Sequence, residues 1–188
     1  GPPVPEPEAV NLLHRAVDLG VTHFDTAEIY GLGRNEQLLG KAFAGRWDQI
    51  VLATKLHNPM GDGPNDRGLS AYHIKRACEE SLRRLQTDHI DLYQMHHVNR
   101  ATPWEEIWQA MEQLVREGKI IYVGSSNFAG WHIAQAQGAA TARQFMGLVS
   151  EQSLYNLNER TVELEVIPAC RATAPTTAPA TSPIRILV

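Results

Sequence analysis

The sequence predicts an α/β fold built on a parallel sheet, and two observations support this prediction. Helical and strand periodicities alternate from about residue 8 to residue 170. Five polar residues follow apolar runs and so mark strand ends, at separations of 30, 41, 31 and 25 positions. These separations are close to the roughly 30 residues of one strand-helix-strand step, which joins strands in parallel. The five residues are Asp25, Lys55, His96, Asn127 and Gln152.

Composition narrows the class of protein. With 188 residues, of which 43% are hydrophobic and 20% charged, the chain is typical of one globular domain. The net charge of -4 argues against binding to nucleic acid or to a membrane surface, and so favours a small-molecule partner. It leaves the oligomeric state open. Cys78 and Cys170 have no spacing typical of a zinc site or a disulfide framework. Reduced cysteines, and no signal-like N-terminal stretch, lead us to expect a cytoplasmic protein without a metal.

The first half of the chain carries three predicted strands. A helix over Glu8 to Leu19 ends at Gly20, and the run from Val21 to Phe24 leads into Asp25. A second helix carries Leu38, Leu39, Ala42 and Phe43 and ends at Gly45. The next strand, Ile50 to Thr54, precedes Lys55, and a long polar loop from Asn58 to Gly68 follows it. Then come a helix capped by Ser70 and the strand Ile90 to Met95, which precedes His96.

The second half continues the alternation and then stops. Thr102 is predicted to cap a helix that begins at Pro103 and ends at Gly118. Next come a strand (Ile120 to Gly124), a helix near Gly130 to Ala140, a strand (Met146 to Glu151) and a helix (Arg160 to Arg171). Residues 172–183 contain only Ala, Thr, Ser and Pro, so we expect a barrel-like domain over 1–171 and a disordered tail over 172–188. A short edge strand over 184–188 is the alternative.

Four reactive side chains stand at or just beyond predicted strand ends: Asp25, Tyr30, Lys55 and His96. The ends of parallel strands converge on one face, so these side chains should meet there. A phenol has a pKa near 10 and gives up its proton poorly at neutral pH, unless a nearby cation stabilises the phenolate. Lys55 can supply that charge and Asp25 can hold Lys55. Tyr30 is therefore the predicted general acid, with His96 beside the substrate carbonyl.

Several segments together resemble the signature of aldo-keto reductases. They occur in the family order at compatible spacing between about residues 8 and 171. The segments are Phe24 to Gly31, Gly33 to Glu36, Leu52 to Lys55, Asp91 to His96, Gly118 to Ile120, Gly124 to Phe128 and Glu151 to Asn156. The residues of these motifs resemble most those of the branch that includes broad-range bacterial reductases and potassium-channel β subunits.

The resemblance implies a partial TIM-type (β/α)8 barrel, roughly strands two to six of eight. It implies NADPH-dependent reduction of an aldehyde or ketone to an alcohol. Tyr30 would be the proton donor, Lys55 and Asp25 the pair that lowers its pKa, and His96 the residue that positions the carbonyl. Three further positions match residues that hold the nicotinamide carboxamide in the family: Ser126, Asn127 and Gln152.

Two alternatives remain. The chain could be a non-catalytic regulatory or interaction fragment that keeps the fold signature without activity. It could also be a metal-dependent hydrolase using Asp25, His96 and His97. The hydrolase is disfavoured because adjacent residues of a strand point to opposite faces.

Overall fold

The computed structural model describes residues 4–173 and the backbone of residues 185–187. These residues form six strands and six α-helices, with 3₁₀ turns at Trp47–Gln49 and Thr161–Glu163. The strands are β1 (His23–Asp25), β2 (Val51–Leu56), β3 (Ile90–Met95), β4 (Ile120–Ser126), β5 (Leu148–Gln152) and β6 (Arg185–Leu187). The helices are α1 (Glu6–Asp18), α2 (Arg34–Phe43), α3 (Ala71–Leu85), α4 (Trp104–Arg116), α5 (Gly130–Ala142) and α6 (Val166–Ala172).

The strand order identifies the architecture. All strand pairs are parallel, and each strand lies beside the next one in the chain. Each helix likewise packs against its successor. A doubly wound sheet would reverse its strand order at one point, whereas a barrel adds its strands in sequence. Strands β1 to β5 therefore form a half-barrel with flanking helices, which confirms the predicted partial (β/α)8 barrel.

The core lies between the sheet and the helices. Trp108 on α4 is fully buried, and its indole Nε1 donates a hydrogen bond to the Ala136 carbonyl on α5, 2.8 Å away. Other fully buried side chains come from both layers: Phe43, Leu52, Leu56, Ile74, Leu85, Tyr93 and Met95. This packing holds the strands in register, and so fixes where their carboxyl ends lie.

Several predicted helix boundaries agree with the structure, whereas the starts of α4 and α6 differ, since α6 begins at Val166 and not at Arg160. The Ser70 hydroxyl accepts a hydrogen bond from the His73 N–H at 3.2 Å and caps α3, and Gly118 follows α4 with a left-handed φ of 71°. Pro103 was expected inside α4 but lies before it in an extended conformation. Its carbonyl accepts from the N–H groups of Glu106 and Ile107, so Pro103 takes the cap position predicted for Thr102.

The C-terminal tail falls largely outside the described residues, which stop at Thr173 and resume only at Arg185. Within the predicted tail, Ala172 completes α6, and the backbone of Arg185–Leu187 pairs with β5 as the edge strand that was held as the alternative. No helix in the described part of the chain is long and apolar enough to cross a membrane.

Candidate active site

A cleft of about 250 Å³ opens at the carboxyl ends of the strands. Six of the seven residues singled out in the sequence line it, together with Ser153 and Leu154: Tyr30, Lys55, His96, Ser126, Asn127 and Gln152. The seventh, Asp25, is hydrogen-bonded to Lys55 and Gln152. The strand ends thus bring the predicted set together, because each strand is anchored by the same core.

Lys55 and Asp25 form an ion pair at the ends of neighbouring strands. Lys55 Nζ lies 2.5 Å from Asp25 Oδ2, and the Lys55 side chain is 1% exposed against 25% for Asp25. Lys55 Nζ also donates to the Thr26 carbonyl at 2.9 Å. Burial lowers the pKa of Lys55, while the hydrogen bond and the charge of Asp25 act in the opposite direction.

The Asp25 carboxylate also accepts hydrogen bonds from side chains on two other strands. Its Oδ1 accepts from Gln94 Nε2 at 3.1 Å, and its Oδ2 accepts from Gln152 Nε2 at 3.3 Å. One carboxylate therefore ties together the ends of β1, β2, β3 and β5. Gln94 had no predicted role, because β3 also contains Asp91 and Tyr93 and nothing in the spacing distinguishes Gln94.

Tyr30 is a partly exposed phenol beside the ion pair. Its ring lies 5.9 Å from the His96 ring in an edge-on arrangement, and Lys55 Nζ lies 5.4 Å from its centroid. Burial, and then the charge of Asp25, raise the pKa of Tyr30. The resemblance implied a lowered pKa for Tyr30, and burial is the main cause that acts in the opposite direction here. Tyr30 therefore keeps its proton at neutral pH.

His96 is a neutral imidazole in this site. Burial is the main cause that lowers its pKa to about 4, followed by the charge of Lys55. Its Nδ1 lies 3.1 Å from Asn58 Nδ2, a partner that the sequence did not single out. His97 stacks on His96 with a centroid distance of 5.0 Å, whereas strand alternation had placed it on the opposite face. Because β3 ends at Met95, that alternation no longer applies to the two histidines.

Three polar residues at the ends of β4 and β5 form the opposite wall of the cleft. Asn127 has a left-handed φ of 56°, and its N–H donates to the Gln152 carbonyl at 2.9 Å. Asn127 Nδ2 donates to Ser126 Oγ at 3.1 Å. Gln152 Oε1 is buried and has no hydrogen-bond partner among the residues that the structure describes. Acceptor and hydroxyl groups are thus left available on this wall.

Glu151, which had no predicted role, supports that wall through three hydrogen bonds. It is fully buried and accepts hydrogen bonds from Ser125 Oγ at 2.5 Å, from the Phe128 N–H at 3.0 Å and from Ser153 Oγ at 2.8 Å. Burial raises its pKa against the effect of these donors. Ser150 and Gln152 flank Glu151 in β5, so the sequence alone did not distinguish this carboxylate. No cluster of three or more His, Cys, Asp or Glu side chains suited to a metal occurs among the described residues.

A half-barrel with a polar cleft at its strand ends has the architecture of the α/β-barrel enzymes. The sequence model of the Aldo/keto reductase family matches residues 1–182, and the chain belongs to that family. Over 177 residues it is 56% identical to the uncharacterized oxidoreductase YrpG of Bacillus subtilis, covering 88% of this chain and 54% of the relative. Over 165 residues it is 38% identical to a probable voltage-gated potassium channel subunit beta of Arabidopsis thaliana, covering 86% and 50%. The chain thus spans about half the length of the curated relatives it matches.

Proposed function

We propose that the chain carries the catalytic side chains of an NADPH-dependent carbonyl reductase, which converts an aldehyde or ketone to an alcohol in the cytoplasm. One observation carries this proposal: Tyr30, His96 and the Lys55–Asp25 pair meet in one cleft of an aldo/keto reductase chain. The family and the oxidoreductase relative support the general class of reaction. The phenol of Tyr30 and the imidazole of His96, which can both donate a hydrogen bond to an oxygen atom in the cleft, support the choice of a carbonyl substrate.

The polar wall fits the carboxamide of a nicotinamide, which has one NH₂ donor and one carbonyl acceptor. Gln152 Oε1 is a buried acceptor that no described residue binds. Ser126 Oγ accepts from Asn127, so its own O–H proton is free to donate. We assign Ser126, Asn127 and Gln152 to hold the carboxamide of NADPH, which supplies a hydride when bound.

Tyr30 is the proton donor in this proposal. Its raised pKa keeps the phenol protonated, and an alkoxide is far more basic than a phenolate, so proton transfer from Tyr30 to the substrate oxygen is favourable. The Lys55 ammonium, 5.4 Å from the ring centroid, stabilises the phenolate that remains. Asp25 keeps Lys55 in place during this transfer.

His96 orients the carbonyl from the other side of the Tyr30 ring. A neutral imidazole can donate one hydrogen bond to the carbonyl oxygen. It does so without adding a second positive charge next to Lys55, because its pKa of about 4 leaves it uncharged at neutral pH. Proton donor and orienting donor would then converge on the same substrate oxygen.

Aldehyde-dependent oxidation of NADPH by the full chain tests the proposal, with 4-nitrobenzaldehyde as the carbonyl probe. Turnover above the rate without protein supports it. A fluorescence titration with NADPH tests the cofactor assignment separately, and Gln152→Leu should weaken binding about 10-fold. Gln49→Leu is the matched control, because Gln49 is exposed and its side chain accepts hydrogen bonds from the nearby Arg46, away from the cleft. Absence of both binding and turnover would refute the reductase.

A non-catalytic regulatory or interaction role is the second candidate. The 38% identity with plant proteins named as probable potassium channel β subunits favours it. This role requires no turnover with any carbonyl and makes no use of Tyr30. Tight NADPH binding with zero aldehyde reduction would favour a regulatory role that depends on the cofactor, whereas aldehyde reduction would exclude a purely non-catalytic chain.

A further inference from the structure

Asn58 makes a side-chain hydrogen bond to His96. Asn58 Nδ2 and His96 Nδ1 lie 3.1 Å apart. Asn58 stands two residues beyond β2 and His96 one residue beyond β3, and because these strands are paired, their ends lie side by side. An amide NH₂ can only donate, so the imidazole must accept at Nδ1. A neutral imidazole that accepts at Nδ1 carries its proton on Nε2.

The backbone before Asn58 is held in an uncommon conformation. His57 is not a glycine, yet its φ is 125°, in the left-handed region. Its N–H donates to Glu28 Oε1 at 3.0 Å, and its carbonyl accepts from the Gly68 N–H at 2.8 Å. Glu28 is 1% exposed, so its hydrogen bond to the His57 backbone lies in the protein interior. Backbone strain of this kind persists only where neighbours enforce it, and it is concentrated at functional sites.

We propose that Asn58 is a positioning residue that holds neutral His96 in the Nε2–H tautomer. In this tautomer His96 donates a hydrogen bond to the carbonyl oxygen of the substrate. Without a partner at Nδ1, the imidazole distributes between both tautomers, and the form protonated on Nδ1 presents a lone pair to the substrate oxygen. The catalytic consequence rests on the proposed reductase function. The assignment of the Nε2–H tautomer to His96 does not rest on that function.

Nitrogen NMR of the full chain, labelled with ¹⁵N at histidine, reports the tautomer directly. His96 is assigned by the loss of its signals in His96→Gln. We expect Nε2–H in the natural sequence. Asn58→Asp replaces the donor by a carboxylate acceptor of the same size, so His96 should change to Nδ1–H or become charged. Asn58→Leu removes the partner and should give a mixture of tautomers, and Asn58→Gln, which keeps an NH₂, should restore Nε2–H in part.

Asn11→Asp is the matched control, because it introduces the same change of charge at an exposed position on α1. Its His96 signals should equal those of the natural sequence. Well-dispersed amide spectra identify variants that fold, and Asn58→Leu and Asn58→Asp provide two independent substitutions. If His96 keeps the same tautomer in both, the proposal is overturned.

Kinetics with NADPH and 4-nitrobenzaldehyde test the consequence. Asn58→Asp and Asn58→Leu should lower kcat about 10- to 100-fold with a much smaller change in KM, because the lost interaction forms in the transition state. Asn58→Asp should also make kcat fall as pH decreases, since an adjacent carboxylate favours charged His96. If the natural sequence shows no turnover while the NMR change occurs, the reductase function fails and the role of Asn58 in fixing the tautomer stands. Unchanged kcat in both folded variants would overturn the catalytic role of Asn58.

Discussion

The Lys55 ammonium is bound by the Asp25 carboxylate at 2.5 Å, and the same carboxylate is reached by Gln152 from the far end of the half-barrel. Asp25 is therefore both the counter-ion of a buried lysine and a bridge between distant strands. This double role means that the charge of the site and the position of its walls are linked.

Removing the ammonium should affect stability and activity together. Lys55→Met leaves Asp25 without its main partner, and loss of a hydrogen bond between charged groups should lower the free energy of unfolding by about 2 kcal/mol. Reductase activity should fall at least 100-fold, an estimate that treats Lys55 as essential for phenolate stabilisation. Urea unfolding and NADPH oxidation measure the two effects.

Lys41→Met is the control for this prediction. Lys41 pairs with Glu6 at 2.7 Å, but both side chains are more than half exposed. Exposed ion pairs contribute little, so the free energy of unfolding should change by less than about 0.5 kcal/mol. Equal stability of the Lys55 and Lys41 variants would contradict a special role for the buried pair.

Glu151 should be replaceable by an amide but not by an apolar side chain. Glu151→Gln keeps an acceptor for the Phe128 N–H, and the Ser125 hydroxyl can rotate to accept from the new NH₂. Glu151→Leu leaves buried donors unpaired, which should cost about 2 to 3 kcal/mol in urea unfolding. If the two variants are equally stable, the hydrogen bonds of Glu151 do not support the wall of the cleft.

Stability should decrease in mild acid because of His96. Its folded-state pKa is about 4, below the 6.5 of an unperturbed imidazole. Between these values the unfolded chain binds more protons than the folded chain, so the free energy of unfolding falls as pH decreases from 6.5 towards 4. From pH 7 to pH 5 we expect His96 to contribute a loss of about 1 to 2 kcal/mol.

Urea unfolding of the natural sequence and of His96→Gln at both pH values isolates this contribution. On acidification, the free energy of unfolding of His96→Gln should fall by less than that of the natural sequence, and the difference should be about 1 to 2 kcal/mol. His57, whose pKa is also lowered mainly by burial, remains in both proteins and cancels in the comparison. An identical loss in the two proteins would show that His96 is not held neutral by the fold.

Two helical glycines should respond in opposite ways to an added methyl group. A Cβ on Gly40 in α2 would lie 2.7 Å from the carbonyl oxygens of Arg84 and Leu85, so Gly40→Ala should cost about 1 to 3 kcal/mol. Beyond the backbone of α5 itself, no described atom lies within 4 Å of such a Cβ on Gly138, so Gly138→Ala should stabilise by up to about 1 kcal/mol. Thermal melts compare both variants, and a stable Gly40→Ala would disprove the close approach of α2 to the end of α3.

Local patterns were sufficient to predict much of this fold. The apolar periodicity and the regular separation of strand ends predicted five of the strands, because a strand between helices must be buried to pair in parallel. The cleft residues followed from their positions after those strands. Boundaries that depend on a single residue were less predictable, as Pro103 shows by serving as the cap and leaving Trp104 to begin α4.

The interactions behind the cleft depend on three-dimensional neighbours. Asn58, Gln94 and Glu151 carry no distinctive spacing, and their partners lie 38, 69 and 26 positions away. The sequence predicted that Asp25 holds Lys55, and the structure shows this pair. The burial that raises the pKa of Tyr30, in contrast, depends on neighbours that the spacing along the chain does not identify.

Tyr30→Phe tests the central claim most directly, since it removes one oxygen from a side chain that lines the cleft. Tyr72→Phe is the control, because Tyr72 is 59% exposed on α3. We predict that the natural sequence and Tyr72→Phe oxidise NADPH with 4-nitrobenzaldehyde at similar rates, and that Tyr30→Phe loses at least about 100-fold in kcat while still binding NADPH. Full activity of Tyr30→Phe would contradict the assignment of Tyr30 as proton donor.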